Sequence, residues 1–265
     1  MGILYYMTGG DVWDPNQALF FGQSDVCNWA AGTGYITCDA SGENIVGISV
    51  NFLNLVGYLP SELAVLSSLK SLNLRENQLF GTVPTELFSI PALEEIDLAS
   101  NQLTGTLSAD LGSSTSSLLT KLDLFGNDLT GTIPTEISVL TTLVDLTLSR
   151  NRFSGTLPSE MGNLSLLQRF GVDGNQCSGT IPTEMLQLTS LEQLFVQENF
   201  FTGQIPAELC TDPFDFESLY ADCLDSQVAV PPVTCDCCSA CYDIMGNWEF
   251  CDYDSEESLC VPNAR

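Results

Sequence analysis

The sequence predicts an α/β solenoid, in which short repeated coils wind into a right-handed superhelix. We expect a concave parallel β-sheet, short helices or 3₁₀ turns on the convex side, and cysteine-stapled caps at both ends. Three observations predict this fold: a unit that recurs about every 24 residues, leucines at strand spacing within each unit, and cysteines concentrated towards the two ends of the chain. A hydrophobic content of 44% is ample for a packed core and argues against disorder.

The repeated unit reads L-x-x-L-x-L-x-x-N-x-L-x-G-x-x-P, and seven copies of it occupy residues 45–209. All copies but the first carry an asparagine at the ninth position: Asn77, Asn101, Asn127, Asn151, Asn175 and Asn199. Leu53 takes this position in the first copy, and Ser108 takes the proline position in the third. The asparagines are 24 residues apart, except for a step of 26 from Asn101 to Asn127. We place the two extra residues in an outer-surface insertion at 113–117.

Each part of the unit has a physical role. The leucines at the fourth and sixth positions lie on one face of a short strand and point inward. One unit cannot bury that face alone, so neighbouring units stack into a continuous core. The asparagine amide satisfies backbone groups where the coil turns, the glycine permits a close backbone approach, and the proline opens a short helical turn.

The unit resembles the plant-type leucine-rich repeat, whose consensus adds L-x-G-x-I-P after the asparagine. Residues 130–134 (T-G-T-I-P) and 178–182 (S-G-T-I-P) match that extension closely. Residues 27–39, with C-N-W and a later C-D, resemble the N-terminal cap of extracellular members. Residues 220–223 and 235–241 resemble the cysteine-rich C-terminal cap of diatom-type leucine-rich repeat proteins.

The resemblance divides the chain into four regions. Residues 1–44 form an N-terminal cap, and residues 45–209 form the repeats. Residues 210–241 form a degenerate last repeat and the cysteine-rich cap, with Phe216, Leu219 and Ala221 in an eighth strand. Residues 242–265 form an acidic tail that contains cysteines. Chains of this family usually begin with a signal peptide or membrane anchor, so we expect a truncated N-terminus; an intracellular protein is the alternative.

Most of the 11 cysteines lie in the caps and the tail, where we expect disulfide bonds. These are Cys27, Cys38, Cys210, Cys223, Cys235, Cys237, Cys238, Cys241, Cys251 and Cys260. The spacing of Cys238 and Cys241 leaves a zinc knuckle or a thioredoxin-like pair as alternatives. Cys177 occupies a leucine position, which predicts a buried free thiol.

The charge balance excludes several functions. The chain has 34 acidic residues, 7 basic residues and no histidine, for a formal net charge of −27. Such a charge repels nucleic acids and anionic membrane surfaces. Without histidine, Ser-His-Asp and Cys-His catalysis and histidine-bound metals are also excluded. We therefore expect no cofactor and no catalytic residue, and membrane association only through a missing N-terminal anchor.

The resemblance implies that the outward strand positions are exposed and line a concave binding face. The candidate ligand-binding residues on this face are Asn73, Arg75, Asp97, Lys121, Asp123, Phe125, Asp145, Arg169, Asp173, Phe195 and Gln197. Cations among acids, interleaved with aromatic rings, suit contacts with a peptide or a carbohydrate. The alternative is that the cations merely neutralise the neighbouring carboxylates.

Stacked carboxylates allow two further hypotheses. Asp97 and Asp123 are expected on neighbouring strands, about 4.8 Å apart, which invites comparison with the carboxylate pair of a retaining glycosidase. The same acids favour at most weak calcium binding, because no calcium-loop motif is present. Another acidic column falls near the start of each convex turn, where the helix dipole favours it. It comprises Glu62, Glu86, Asp110, Glu136, Glu160, Glu184 and Glu208.

The sequence therefore predicts a non-catalytic recognition module. It would bind an extracellular peptide, protein or glycan through the concave face, as the resemblance to receptor ectodomains and secreted inhibitors implies. The alternative is a structural cell-wall or adhesion protein that assembles through calcium-bridged acidic surfaces. We expect a secreted or cell-surface protein, glycosylated at Asn163 within the sequon N-L-S.

Overall fold

A computed structural model describes residues 35–113, 118–210, 218–224, 233–234, 240–243, 248–252 and 259–262. The chain forms two compact units, residues 1–130 and 131–265. Both are built from the repeated coil, and each is described by itself. The predicted insertion at 113–117 lies almost entirely outside the described residues, as do Phe216 and the N-terminal segment before residue 35.

Short strands alternate between two sides of each coil. Those of the first unit are β1 (Ile36–Cys38), β2 (Ile45–Ser49), β3 (Val56–Tyr58), β4 (Ser71–Asn73), β5 (Gln78–Gly81), β6 (Glu95–Asp97), β7 (Gln102–Leu103) and β8 (Lys121–Asp123). β9 (Thr130–Gly131) lies at the boundary. Those of the second unit are β10 (Asp145–Thr147), β11 (Arg152–Gly155), β12 (Arg169–Gly171), β13 (Gln176–Gly179), β14 (Gln193–Phe195), β15 (Phe200–Phe201), β16 (Gly203–Gln204), β17 (Ser218–Leu224), β18 (Val233–Thr234), β19 (Ala240–Asp243), β20 (Trp248–Asp252) and β21 (Leu259–Pro262).

The concave strands of the first unit pair in parallel, in the order β2, β4, β6 and β8. Their register pairs equivalent positions of successive copies, such as Ser71 with Glu95 and Glu95 with Lys121. β1 adds to this sheet as an antiparallel edge. On a lateral side, β3, β5 and β7 form a second parallel sheet. The predicted column arrangement is therefore confirmed in this unit, including across the 26-residue step.

The second unit follows the same plan. β10, β12, β14 and β17 pair in parallel, so that Asp145, Arg169 and Gln193 form one column. β17 is the predicted eighth strand, and its Leu219 and Ala221 side chains are fully buried. β19 continues the sheet in parallel, and β20 and β21 add antiparallel. β11, β13 and β15 form the lateral sheet, and β16 pairs with β18.

The convex segments are 3₁₀ turns, as predicted. They span Ser61–Val65, Thr85–Ser89, Ala109–Ser113, Thr135–Val139, Ser159–Asn163, Thr183–Gln187 and Ala207–Cys210. The proline precedes the turn rather than occupying its first residue: Pro84, for example, is extended at φ −65° and ψ 130°. Its carbonyl accepts the first bond of the turn from the amide of Leu87, at 3.2 Å. An acidic residue stands in the first turn of each of these segments, which confirms the predicted convex column.

The predicted asparagine ladder is confirmed. Asn175 donates from Nδ2 to the carbonyl oxygens of Leu148, at 3.1 Å, and Val172, at 2.8 Å. Its Oδ1 accepts from the amide of Phe153 at 2.9 Å. Asn77 makes the equivalent bonds in the first unit. These buried amides satisfy backbone groups of two coils at once, and thereby tie neighbouring copies together.

The glycine of each unit provides a left-handed backbone against which the previous coil packs. Gly155 has a φ of 77°, and a Cβ there would lie 2.9 Å from Cγ2 of Thr132. Gly179 has the same relation to Thr156, at 2.8 Å. Both the conformation and the threonine methyl group therefore exclude larger residues at this position.

Cys177 is a fully buried free thiol, as predicted. Burial raises its pKa to about 12. Cys38 forms a disulfide bond. The other predicted disulfide cysteines lie outside the residues whose side chains the structure describes, so their pairing remains a prediction. No helix within the described ranges is long and apolar enough to cross a membrane.

Candidate functional site

In the first unit, the side chains at the fifth position of the repeat bind the backbone just after the ends of β4, β6 and β8. Asp97 Oδ1 accepts the amide of Ala99 at 3.2 Å, and Asp123 Oδ1 accepts the amide of Phe125 at 3.0 Å. Asn73 makes the same bond to the amide two residues on, at 3.2 Å. Such side-chain turns satisfy a backbone donor where regular pairing stops. This column therefore has a structural role that explains its Asn and Asp residues.

Cations cover the carboxylates of this column. Lys121 Nζ lies 3.1 Å from Asp97 Oδ2, and Arg75 Nη1 lies 3.8 Å from Asp123 Oδ2. Asp97 is 6% exposed and Asp123 is 9% exposed. The expectation that both carboxylates are exposed on the concave face is therefore wrong. The physical reason is that other coils contribute a long basic side chain to each of them: Lys121 comes from the next coil after Asp97, and Arg75 reaches Asp123 from two coils earlier.

The two aspartates are cross-strand neighbours, as predicted for a carboxylate pair. Each already has a basic partner and a backbone amide. Among the described residues, no group of three or more His, Cys, Asp or Glu side chains is arranged to hold a metal ion. The arrangement offers an ion-paired surface with the half-buried ring of Phe125 beside it.

The concave face of the second unit begins with another ion pair. Arg169 Nε lies 3.8 Å from Asp145 Oδ2, and both side chains are partly exposed. Asp145 Oδ1 also accepts from the hydroxyl of Thr147 at 3.1 Å. Neutralisation of acids by cations, the alternative drawn from the sequence, is thus confirmed for Arg75, Lys121 and Arg169. Arg169 nevertheless keeps about half of its side chain exposed, and can still contact a ligand.

The seventh position of this unit is more buried. Ser149 Oγ donates to Asp173 Oδ1, and Ser149 is only 3% exposed. Burial raises the pKa of Asp173 above its ordinary value, and this outweighs the lowering by the Ser149 bond and by nearby Arg150. Gln197, predicted to be exposed, is 8% exposed, so that expectation is wrong. Its Oε1 is buried and has no hydrogen-bond partner among the residues that the structure describes.

An aromatic pair stands beside these polar groups. The rings of Phe195 and Tyr220 have centroids 5.2 Å apart and are inclined by 48°. Both side chains are partly exposed. Phe195 was predicted as a site residue, whereas Ser149 and Tyr220 were not. Tyr220 was missed because it lies in the degenerate repeat, although its place before Ala221 in the eighth strand was a usable signal.

Lateral grooves form a second candidate surface in each unit. One of about 670 Å³ lies in the first unit and includes Thr82, Pro84 and Glu86. Another of about 690 Å³ lies in the second and includes Thr156 and Glu160. Threonine methyl groups along the grooves pack on the glycines of the next coil. The repeated threonines and glycines therefore have a structural role. Asn163 is exposed at the end of its 3₁₀ turn, a position that is sterically open to glycosylation.

The repeats of this chain match a known family. The family model described as Leucine Rich Repeat matches residues 68–90, 92–114, 118–140 and 142–164. The strands, asparagines and 3₁₀ turns of the structure fall at the places that this repeat requires. The chain is a plant-type leucine-rich repeat protein. No curated protein sequence matches it significantly.

Solved structures similar to this leucine-rich repeat chain include three plant receptor ectodomains. The Arabidopsis thaliana receptor kinase GASSHO1/SCHENGEN3, solved with Casparian Strip Integrity Factor 2, is 31% identical over 76% of this chain, with a TM-score of 0.67. PEPR1, solved with AtPEP1, is 27% identical over 83%, with a TM-score of 0.70. The Arabidopsis receptor kinase HAESA, solved with an extended IDA peptide hormone, is 29% identical over 84%, with a TM-score of 0.68. The matches span only 24%, 32% and 37% of those three chains.

Proposed function

We propose that this protein is a non-catalytic recognition module that binds an extracellular peptide or protein through its concave face. One observation carries the proposal: the outward strand positions differ from copy to copy, while the inward positions repeat. Rigid strands present a charged, a small and an aromatic residue in turn, as at Arg169, Gly171 and Phe195. Such variation on a constant scaffold is how a recognition surface is built. The likeness to ectodomains solved with peptide hormones supports a peptide as the ligand.

A secreted or cell-surface location accompanies this function. Its support is the likeness to receptor ectodomains, together with the disulfide at Cys38 and the exposed sequon at Asn163. Disulfide bonds persist in oxidising compartments, and glycosylation requires the secretory route. Mass spectrometry of the natively produced protein tests both features, because an unmodified, fully reduced chain would contradict an extracellular location.

A catalytic role for the concave carboxylates is disfavoured. Asp97 and Asp123 are paired with Lys121 and Arg75, and no enclosed site that would exclude water surrounds them in the described part of the chain. Glycosidase chemistry needs one carboxyl group poised as an acid and another as a nucleophile or base. We therefore expect the wild-type protein not to hydrolyse polysaccharides. The Asp97→Asn and Asp123→Asn variants should then be indistinguishable from it in a turnover assay.

The decisive test is binding. A random peptide library displayed on phage is selected against the full chain, and the dissociation constants of the selected peptides are measured by calorimetry. Arg75→Ala, Arg169→Ala and Phe125→Ala should each weaken binding by about tenfold or more, because central aromatic and arginine contacts dominate such interfaces. Phe200→Ala is the matched aromatic control, since that exposed ring lies on the lateral strand β15. Full binding by all three concave variants would disprove the concave-face proposal.

A further inference from the structure

Two columns of hydroxyl side chains follow one another from coil to coil on the lateral side of the second unit. One column consists of Ser154, Ser178 and Thr202, and the other consists of Thr132, Thr156 and Thr180. All of the threonines in these columns are exposed, and the two serines are partly exposed. Neither column contains a charged residue, although the chain carries 34 acidic and 7 basic residues. A strongly acidic protein therefore has an uncharged, repeating array of hydroxyl groups on this side.

Contacts between coils hold these side chains in a repeated orientation. Cγ2 of Thr156 packs on Gly179, where an added Cβ would lie only 2.8 Å from it, and the other two threonines of that column make the equivalent contact. In the other column, Ser154 Oγ donates to the carbonyl oxygen of Gly131 at 3.3 Å, and Thr202 Oγ1 donates to that of Gly179 at 3.4 Å. Because these contacts fix the side-chain rotamers, a ligand of the array would cost little side-chain entropy on binding.

The open groove of about 690 Å³ adjoins the threonine column. Its lining includes a further set of hydroxyl side chains with the same 24-residue period: Thr135, Ser159 and Thr183. The carboxylates of Glu160 and Glu184 also line it, and they accept hydrogen bonds from Ser159 and Thr183. The groove thus has room for water molecules between hydroxyl groups that repeat once per coil.

A surface of identical groups at a constant repeat suits a ligand that itself repeats. A hydroxyl group both donates and accepts hydrogen bonds, as each water molecule in a crystal of ice does. Neighbouring parallel strands repeat about every 4.8 Å, which is close to a distance between equivalent water molecules in ice. The exposed methyl groups gain free energy when they are covered, and no charge needs to lose its hydration. We propose that this lateral side of the second unit binds the surface of ice crystals, a function separate from peptide recognition on the variable concave face.

Aromatic rings interrupt the equivalent columns in the first unit. Tyr58 takes the threonine position in the first copy, and Phe80 takes the position of the other column in the second copy. Both side chains are exposed, and their ring centroids are 6.3 Å apart. Since such rings break a regular array of small groups, the inference is confined to the second unit. Tyr58 also shows that the coil accommodates a tyrosine here, because its Cβ would lie 3.5 Å from a Cβ added to Gly81, an ordinary contact distance.

Incorporation into ice tests the proposal directly. A dilute solution of the full-length protein is frozen slowly onto a cooled probe, and the protein concentrations in the ice and in the remaining liquid are compared. Serum albumin serves as the protein that growing ice excludes. The wild-type protein should be taken up by the ice, and the freezing point of its solution should fall below the melting point. Exclusion of the wild-type protein to the same extent as albumin would overturn the inference.

Variants locate the binding surface. Thr156→Tyr and Thr180→Lys should each abolish uptake into ice, because a bulky ring or a charge breaks the array. Thermal melts show whether each variant is folded, and Thr156→Tyr keeps the test decisive if Thr180→Lys fails to fold, since Tyr58 already fits the equivalent position. Thr141→Tyr is the matched control: this threonine of the second unit is also exposed but belongs to neither column, so uptake should be unchanged. Full uptake of folded Thr156→Tyr, or an equal loss in Thr141→Tyr, would disprove the assignment to this face.

Discussion

Lys121 Nζ lies 3.1 Å from Asp97 Oδ2, although the two residues are 24 positions apart and on neighbouring strands. The Asp97 side chain is 8% exposed and that of Lys121 is 33% exposed. The contact thus crosses from one coil to the next and covers a carboxylate that the sequence places on an open face. Its contribution to stability should depend on that burial.

Lys121→Met should destabilise the protein by about 1–2 kcal/mol, because it leaves the Asp97 carboxylate buried without a cation. Lys70→Met is the control, since Lys70 pairs with Glu94 at only 2.7 Å but both side chains are largely exposed. That change should cost less than about 0.5 kcal/mol. Urea denaturation gives both values, and equal losses would show that burial does not set the strength of these pairs.

Asn175→Ala should cost about 2–4 kcal/mol. The change leaves buried backbone groups of two coils, including the amide of Phe153 and the carbonyl of Leu148, without their partner. Gln176→Ala, at the exposed neighbouring position, should change stability little. Comparable melting temperatures for the two variants would contradict the structural role of the asparagine ladder.

Gly155→Ala should destabilise by about 2–3 kcal/mol, because alanine must adopt a φ of 77° and press on the Cγ2 methyl group of Thr132. Adding Thr132→Ser removes that methyl group and should restore part of the loss. A double-mutant cycle measured by chemical denaturation tests the coupling. Strict additivity of the two changes would mean that the threonine does not confine the glycine.

The pH dependence of stability should reveal Asp173. Its pKa is raised by burial, so the native state holds this proton more tightly than the unfolded chain. Ionisation therefore costs stability as the pH rises above 3.8, the ordinary value. Asp173→Asn removes that cost, and its melting temperature relative to wild type should increase between about pH 4 and about pH 7.

Asp39 supplies a control of opposite sign. Hydrogen bonds from Asn44 and Ser41 hold its pKa well below 3.8. Its stabilisation is present above that value and is lost as the pH falls through the lowered pKa. Asp39→Asn should therefore lower the melting temperature at neutral pH and converge on wild type in acid. If both variants shifted in the same direction with pH, the assigned environments would be wrong.

Salt should stabilise the protein. The convex acids repeat from coil to coil, as in Glu160 and Glu184, and repel one another within a screening length. The melting temperature should rise between about 10 mM and about 500 mM salt, a range in which the screening length changes severalfold. Glu160→Gln combined with Glu184→Gln should reduce this rise. A flat salt profile of the wild type would refute the repulsion.

The scaffold of this protein follows from its repeat pattern. The 24-residue period placed Asn175 in the ladder, Cys177 in the core and Leu219 in an eighth strand, because stacking forces equivalent positions into the same surroundings. Inward positions have the same neighbours in every copy, so their burial can be read from the repeat alone.

The exposure and pairing of side chains on the concave face depend on contacts that form only in the folded chain. Asp97, Asp123 and Gln197 occupy outward positions, yet all three are buried, because their exposure depends on which side chains the adjacent coils contribute. The close approach of Ser149 to Gly171 and the contact of Tyr220 with Phe195 likewise become visible only in the folded chain. A repeat predicts where side chains point, whereas exposure and pairing depend on side-chain contacts between residues distant in sequence.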